Sequence, residues 1–384
     1  MKKTKHILFV MPNLDTGGVC TSFLNLLHEL ECENLKIDVL CFAQDKCNIL
    51  PSYVNVIPSN KYLRLLTVSQ SVINAESKLK GILRLILGFI AKKVSQGIAY
   101  DLAFFTYKKL KGYDVAISYT QTGVKTLYGG CNEFVLKKVD AKQKITFIHC
   151  DYNRAGINTE YSKRVYSRFD KIAAVSEGVK KAFVDECSHL SEKVYTVYNC
   201  HRFQDIKLQA ADHAVDYNYD IVNFVTVARL SPEKGHIQMI EALKLLKANK
   251  GSCFCWHIIG GENEKVESEI KKLIFDYELD DCIKMYGSQS NPYRFVKNAS
   301  WLVVPSVHEA APMVYSEALI LGVPVITTNT LSANEFIEKN NFGIVCENSI
   351  SGLYGALKEA LDNTCNFNEF KKHINSINFS NKLA

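Results

Sequence analysis

Short apolar runs alternate with longer amphipathic stretches along this chain. That rhythm predicts parallel strands joined by helices, because a strand buried on both faces reads as a continuous apolar run while the crossover helix reads as amphipathic. Strands are expected at residues 7–11, 37–42, 115–118, 145–149, 172–175 and 194–197, with helices at 21–31, 161–169 and 177–186. The rhythm then fails over residues 198–220, which are polar, hold Asn199, Asp212, Asp216 and Asn218, and keep no period. It resumes with strands expected at 221–227, 254–259, 282–286, 301–304, 323–327 and 344–346. Helices are expected between them at 237–247, 265–277, 292–297, 314–321, 333–339 and 353–362.

A break of this kind in a 384-residue chain argues for two domains. The expected architecture is α/β, two doubly wound Rossmann-like domains with a cleft between them. The boundaries are residues 1–200, residues 201–365, and a polar, Asn-rich tail over 366–384 that could cross back onto the first domain. Composition agrees with packed globular domains, at 47% apolar and 22% charged residues. The opening MKKTKHILFVMP has too short an apolar run for a signal peptide and no small-residue cleavage site after it. It reads as a Lys-rich lead into the first strand. Thirteen scattered cysteines without a CxxC pair argue against a zinc site and fit a reducing cytosol.

Charge is divided unevenly. Residues 1–200 carry 28 Lys/Arg against 18 Asp/Glu, a net of +10, while residues 201–384 carry 18 against 22, a net of −4. The basic half should face something anionic. No nucleic-acid-binding motif is present, so an anionic membrane surface is the favoured partner. Residues 78–94, KLKGILRLILGFIAKKV, stand out here. The uncharged run 85–91 is far short of the roughly 20 residues a membrane span needs. Two readings remain: a buried crossover helix, or an interfacial helix with basic flanks.

Two constellations carry chemistry. In Val227-Ala228-Arg229-Leu230-Ser231-Pro232-Glu233-Lys234-Gly235 a strand ends in a loop with two cations just before a helix. Ligands of open parallel sheets bind at strand carboxyl ends, and a guanidinium fork with an ammonium suits a diphosphate. A solvated loop with ordinary surface charges would carry the same residues. The second constellation runs from Pro305 to Leu319, with Glu309 after a buried strand and Glu317 in the next helix. Carboxylates accept paired hydroxyls of sugars and riboses, and a helix start between them offers amides to phosphate. A helix-dipole partner at Glu317 and a loop ion pair at Glu309 would look the same.

Together these residues resemble the large retaining glycosyltransferase family of the GT-B fold, whose members include capsule, lipopolysaccharide and mannosyl transferases. The likeness rests on the Arg-x4-Lys-Gly loop and on Glu-x7-Glu followed by Gly322-Val323-Pro324-Val325. It is strongest over residues 221–346 and looser over 1–200, where Gly17-Gly18 and His149 still fit. The resemblance implies that Arg229 and Lys234 grip the donor diphosphate and stabilise the leaving group. It implies that Glu309 contacts the transferred sugar and that Glu317 holds the ribose. Amides near Ala311, Met313 and Val314 would meet phosphate, and Gly287, opening the segment 287–293, would sit near the base. Gly17 and Gly18 would form the loop that approaches donor and acceptor. His149 would lie on the acceptor side near the donor sugar, with Asp151 a candidate to orient it; a hydrogen-bonded core histidine is the other reading.

One departure is that Ala310-Ala311-Pro312 stand where such enzymes often have glycines, and Pro312 has no N–H for a phosphate. The resemblance further implies a hexosyltransferase whose nucleotide-sugar is a substrate, with no cofactor and no required metal. The cations and helix dipoles would do the work of a divalent ion, and domain closure would exclude water. The acceptor would be a glycan or lipid-linked glycan of cell-surface polysaccharide, reached from the cytoplasm, peripherally at the inner face of the membrane. The competing reading is a catalytically silent subunit of the same fold that binds a glycan or a partner transferase.

Overall fold

The computed structural model describes residues 4–381 apart from 16, 122, 124–126, 214 and 262, with the backbone alone at residue 364. The chain divides into two compact units, Met1–Cys200 and His201–Ala384.

In the first unit the elements are β1 Lys5–Met11, α1 Gly18–Glu29, β2 Leu35–Cys41, β3 Asn55–Val56, α2 Lys61–Arg64, α3 Gln70–Glu76, α4 Lys78–Lys93 and α5 Gln96–Phe104. They continue with β4 Leu110–Ser118, α6 Cys131–Lys138, β5 Val139–Ile148, α7 Glu160–Tyr166, β6 Lys171–Ala174, α8 Glu177–Glu186 and β7 Val194–Thr196. The seven strands form one parallel sheet in the order β3-β2-β1-β4-β5-β6-β7. Ile7 of β1 pairs with Ile37 on one side and Val115 on the other, so the apolar runs of the sequence stack in the sheet's centre. Serines terminate the preceding loops: Ser69, Ser77, Ser95 and Ser176 each accept an amide of the first turn of α3, α4, α5 and α8. Such caps satisfy donors that a helix start otherwise leaves open.

The second unit contains α9 Phe203–Ala210, β8 Val222–Val227, α10 His236–Lys250, β9 Phe254–Ile259, α11 Glu264–Asp276, β10 Ile283–Met285 and α12 Tyr293–Asn298. It ends with β11 Trp301–Val304, α13 Met313–Ile320, β12 Val325–Thr328, β13 Gly343–Cys346, α14 Ile350–Asp362 and α15 Thr364–Ser376. Its six parallel strands run β10-β9-β8-β11-β12-β13. Successive residues of a strand serve opposite faces. Phe224, Trp256 and Val303 pack one way with α10, α11 and α14, whereas Val225, Leu302 and Val304 pack the other way with α12 and α13.

Three expectations need correcting. Residues 198–220 are not merely a linker, because α9 forms within them and packs on α12 and α13. Ile206 and Ala210, four residues apart, supply its buried face, too short a signal to stand out in a polar stretch. Residues 366–381 of the tail likewise have structure: Asn363 caps α15, Ile374 is buried in the second unit's core, and Ile377 and Phe379 pack beside it. Asn381 closes the tail onto the same unit, accepting from the amide of His201 at 2.8 Å and donating to its carbonyl at 3.1 Å. Finally, α4 is a helix but not a buried one. Only Gly81, Leu87 and Ala91 are buried, and the opposite face is exposed.

Candidate functional site

Both sheets reverse their winding once. In the second unit the chain steps from β8 outward to β9 and β10, then returns to β11 on the other side of β8. Loops leaving β8 and β11 therefore start from neighbouring strands at the winding reversal, the position where such sheets bind ligands. The two loops are those singled out in the sequence, 228–235 and 305–312. They are fastened to each other, because the amide of Val307 donates to the carbonyl of Glu233 at 2.8 Å. Gly235 explains how they come so close. At φ 70° it turns into α10, and a Cβ there would lie 1.9 Å from the carbonyl oxygen of Pro305. Only glycine fits both the dihedral and the gap.

Across this junction Lys234 Nζ reaches Glu309 Oε1 at 2.6 Å. Ser306 Oγ donates to the same oxygen at 2.8 Å. The pair is mostly buried, with the Lys234 side chain 21% and the Glu309 side chain 12% exposed. An ammonium has three N–H donors, so Lys234 can keep Glu309 and still donate to an anion. Arg229 is 60% exposed, held only loosely by Glu233 at 3.8 Å. Glu233 in turn accepts from Ser231 Oγ at 2.6 Å. Thus the two cations of the loop differ: one is positioned by a carboxylate, the other projects into solvent.

Glu317 sits in α13, buried, with Tyr293 Oη 3.5 Å from its Oε1. Burial pushes its carboxyl up to about 7, against a smaller downward pull from the Tyr293 hydrogen bond. Helix α13 starts at Met313, and no side chain caps it. Pro312 stands at the cap position, so its missing N–H falls before the first turn, and the amides of Met313 and Val314 open the helix. Gly287, at φ 65°, follows edge strand β10, and its carbonyl accepts from the amide of Gly260 at 2.9 Å. Strand β9 separates β10 from β8, which puts Gly287 two strands out from the Lys234 loop.

The first-unit residues lie at the carboxyl ends of its own strands. Gly17 precedes α1 at φ 150°, a conformation essentially confined to glycine, and a Cβ there would meet nothing within 4 Å. Gly18 is the first residue of α1. His149 follows β5; its ring stacks on Phe147 at 5.5 Å and leans on Tyr119 at 4.8 Å. Its Nε2 is buried without a partner. Burial pushes the imidazole down to about 3 despite a backbone hydrogen bond with Tyr119, so His149 is neutral throughout the physiological range. Asp151 does not orient it. Its Oδ1 accepts the amides of Asn153 and Arg154 at 3.1 and 3.0 Å, closing the turn after β5.

Two contacts were absent from the sequence reading. Ser306 supports Glu309, and the signal was a serine three residues before the carboxylate. Tyr293 reaches Glu317 from 24 residues away, and nothing local announces that.

Two Rossmann-like units, the second with a charged loop pair at its winding reversal, give the architecture of the GT-B fold. Residues 218–376, in the second unit, match the family model for glycosyl transferases group 1. Among the chain's relatives is the amylovoran biosynthesis glycosyltransferase AmsK of Erwinia amylovora, 29% identical over 223 residues, 54% of this chain and 52% of that protein. Another is the N-acetylgalactosamine-N,N'-diacetylbacillosaminyl-diphospho-undecaprenol 4-alpha-N-acetylgalactosaminyltransferase of Campylobacter jejuni, 25% identical over 200 residues, 52% of each chain. The chain thus spans about half the length of the curated relatives it matches. Among solved structures, Anabaena HepE in complex with UDP superposes with a TM-score of 0.66 at 16% identity, covering 98% of this chain and 96% of that one. At that identity the likeness is one of fold.

Proposed function

We propose that the chain is a retaining hexosyltransferase that moves a sugar from a UDP- or GDP-sugar onto a glycan or lipid-linked glycan during assembly of a cell-surface polysaccharide. The observation that carries this reading is the Lys234–Glu309 contact at the winding reversal of the second sheet. An ammonium, which suits a diphosphate, lies beside a carboxylate, which suits sugar hydroxyls, and this supports the reading. The relatives' names support a polysaccharide context, and HepE's complex supports a uridine nucleotide.

In this reading the second unit holds the donor. Lys234 and Arg229 take the diphosphate, with the start of α13 adding its dipole. Glu317 receives the ribose hydroxyls, and Gly287 lies on the base side. Gly17 and Gly18 are assigned to the loop that approaches donor and acceptor, and His149 to the acceptor side near the donor sugar as a neutral hydrogen-bond partner. As the anomeric C–O bond to phosphate breaks, its electron pair leaves on the phosphate oxygen, where the two cations stabilise it. The acceptor hydroxyl attacks the same face of the sugar, and its proton passes to the departing phosphate. No protein nucleophile is needed, unlike the paired carboxylates of a retaining glycosidase. No metal or cofactor is assigned a role.

The experiment is nucleotide release from a panel of UDP- and GDP-sugars, with and without an acceptor glycan, followed by product anomer analysis. Release that depends on acceptor, with retained configuration, is the expected result. Nucleotide binding without acceptor-dependent release across the panel would leave a glycan-binding subunit instead.

A further inference from the structure

Helix α4 turns an apolar face to solvent. Leu79, Ile82, Leu85, Ile86 and Phe89 are each more than half exposed, with Leu79 at 80% and Phe89 at 64%. At 3.6 residues per turn they occupy about 120° of the circumference, opposite buried Leu87 and Ala91. The next helix repeats the pattern. Ile98 and Leu102 in α5 and Phe105 just beyond are exposed at four- and three-residue spacing. Among the described residues, nine of the twenty exposed large hydrophobics lie within residues 79–105. Such concentration marks an interaction surface.

Charge selects the partner. Lys78, Lys92 and Lys93 stand at the two ends of α4, and no carboxylate occurs between residues 77 and 100. Residues 61–111 hold ten Lys/Arg and two Asp/Glu, a net of +8 within the first half's +10. A second copy of the chain would bring +8 against +8. An anionic lipid surface complements both features, taking the apolar face between headgroups and the lysines at phosphate level. The helix cannot span: its 16 residues reach about 24 Å against a hydrocarbon core of about 30 Å, and among the described residues no helix is long and apolar enough to cross.

We propose that the exposed face of α4 and α5 is a docking surface for an anionic bilayer, held by shallow insertion of Leu85 and Phe89 and by the lysines at the ends of α4. This stands apart from the glycosyl-transfer reading and would hold or fail without it. The test is flotation of the full chain with vesicles of phosphatidylcholine containing phosphatidylglycerol, against phosphatidylcholine alone. The wild type should float with the anionic vesicles only, and less so at high salt. Leu85→Glu with Phe89→Glu should weaken binding roughly tenfold or more, and Lys92→Glu with Lys93→Glu severalfold with a flatter salt dependence. All four side chains are solvent-facing, so thermal melting and nucleotide binding should match the wild type. Wild type remaining unbound to anionic vesicles, or variants floating equally well, overturns the proposal. So does sedimentation showing a wild-type dimer that Leu85→Glu with Phe89→Glu dissociates.

Discussion

The two units repeat one winding scheme and differ most at the same point in it. In each, the chain runs out to a third strand and must return to a fourth beside the first. The second unit returns through residues 286–300 with only α12. The first uses residues 57–109 and four helices, α2 to α5. Lengthening a surface connection costs little in closure entropy, so this is where a sheet can acquire a new surface without disturbing its core. The strand ends differ as well. The second unit confronts an ammonium with a carboxylate, while the first presents a neutral imidazole among aromatic rings. One winding scheme, used twice, thus ends in a charged loop pair in one unit and in an uncharged cluster of rings in the other.

That contrast can be broken by substitution. The largest effect is expected at the charged end. Lys234→Ala or Arg229→Ala should lower transfer by about 10²-fold or more, read as nucleotide release; the better-positioned Lys234 should cost more than the solvent-facing Arg229. Near-wild-type turnover in both would erase the distinction between the units. Gly235→Ala comes next, because the added carbon collides with the Pro305 carbonyl and the residue must hold a left-handed φ. A loss of about 2–4 kcal/mol is expected, read by denaturant unfolding. The equivalent test at Gly17, where the space is open, should give a smaller loss, from the dihedral alone.

Glu317 sharpens the comparison through pH. Its folded value of about 7 lies above the ordinary 4.5. A raised carboxyl favours the fold while protonated, so its contribution is complete below about pH 4.5 and is lost as pH rises through about 7. Glu317→Gln should therefore gain stability over the wild type at pH 8, on the order of 2–3 kcal/mol, and little at pH 4. Nucleotide affinity should run the opposite way. If Glu317 accepts the ribose hydroxyls as proposed, it does so as a carboxylate, so wild-type binding should weaken up to about tenfold per unit as pH falls below 7, and the Gln variant should lose that slope. Calorimetric titration at several pH values checks it. The smallest effect is expected at His149. With its pKa near 3, His149→Asn should leave the shape of the pH–rate profile between 5 and 8 unchanged even if the rate falls. A limb that disappears in the variant would show that the imidazole titrates and that the first unit's site is not the uncharged one.

Much of this was legible in the residues. Buried parallel strands advertise themselves as apolar runs, and each expected strand appears in the two sheets; among those with the strongest signal, 254–259 and 301–304 agree at both ends. The two-residue β3 escaped because it is exposed and too short to show a period. Helices α9 and α15 escaped because their buried faces belong to residues such as Ile206 and Ile374, whose partners lie far along the chain. The site was partly legible: Arg229, Lys234, Glu309 and Glu317 announce themselves by type and by their place after strands. Their partners do not. Asp151 beside His149 suggested a pair, yet the local turn claimed its carboxylate, which accepts the amides two and three residues on.

By itself, then, the order of residues determined the alternation of strand and helix, the two-unit plan and the side chains of the candidate donor site, because each follows from burial or chemistry within a few neighbouring positions. Tertiary structure alone decided that Lys234 meets Glu309 across 75 residues, that Glu317 is dry enough to hold its proton near neutrality, and that α4 turns its leucines and phenylalanine outward rather than in. The physical reason is common to all three. Contact distance, desolvation and exposure depend on what distant segments bring to a position, and an apolar stripe reads alike whether a core or a solvent boundary lies against it.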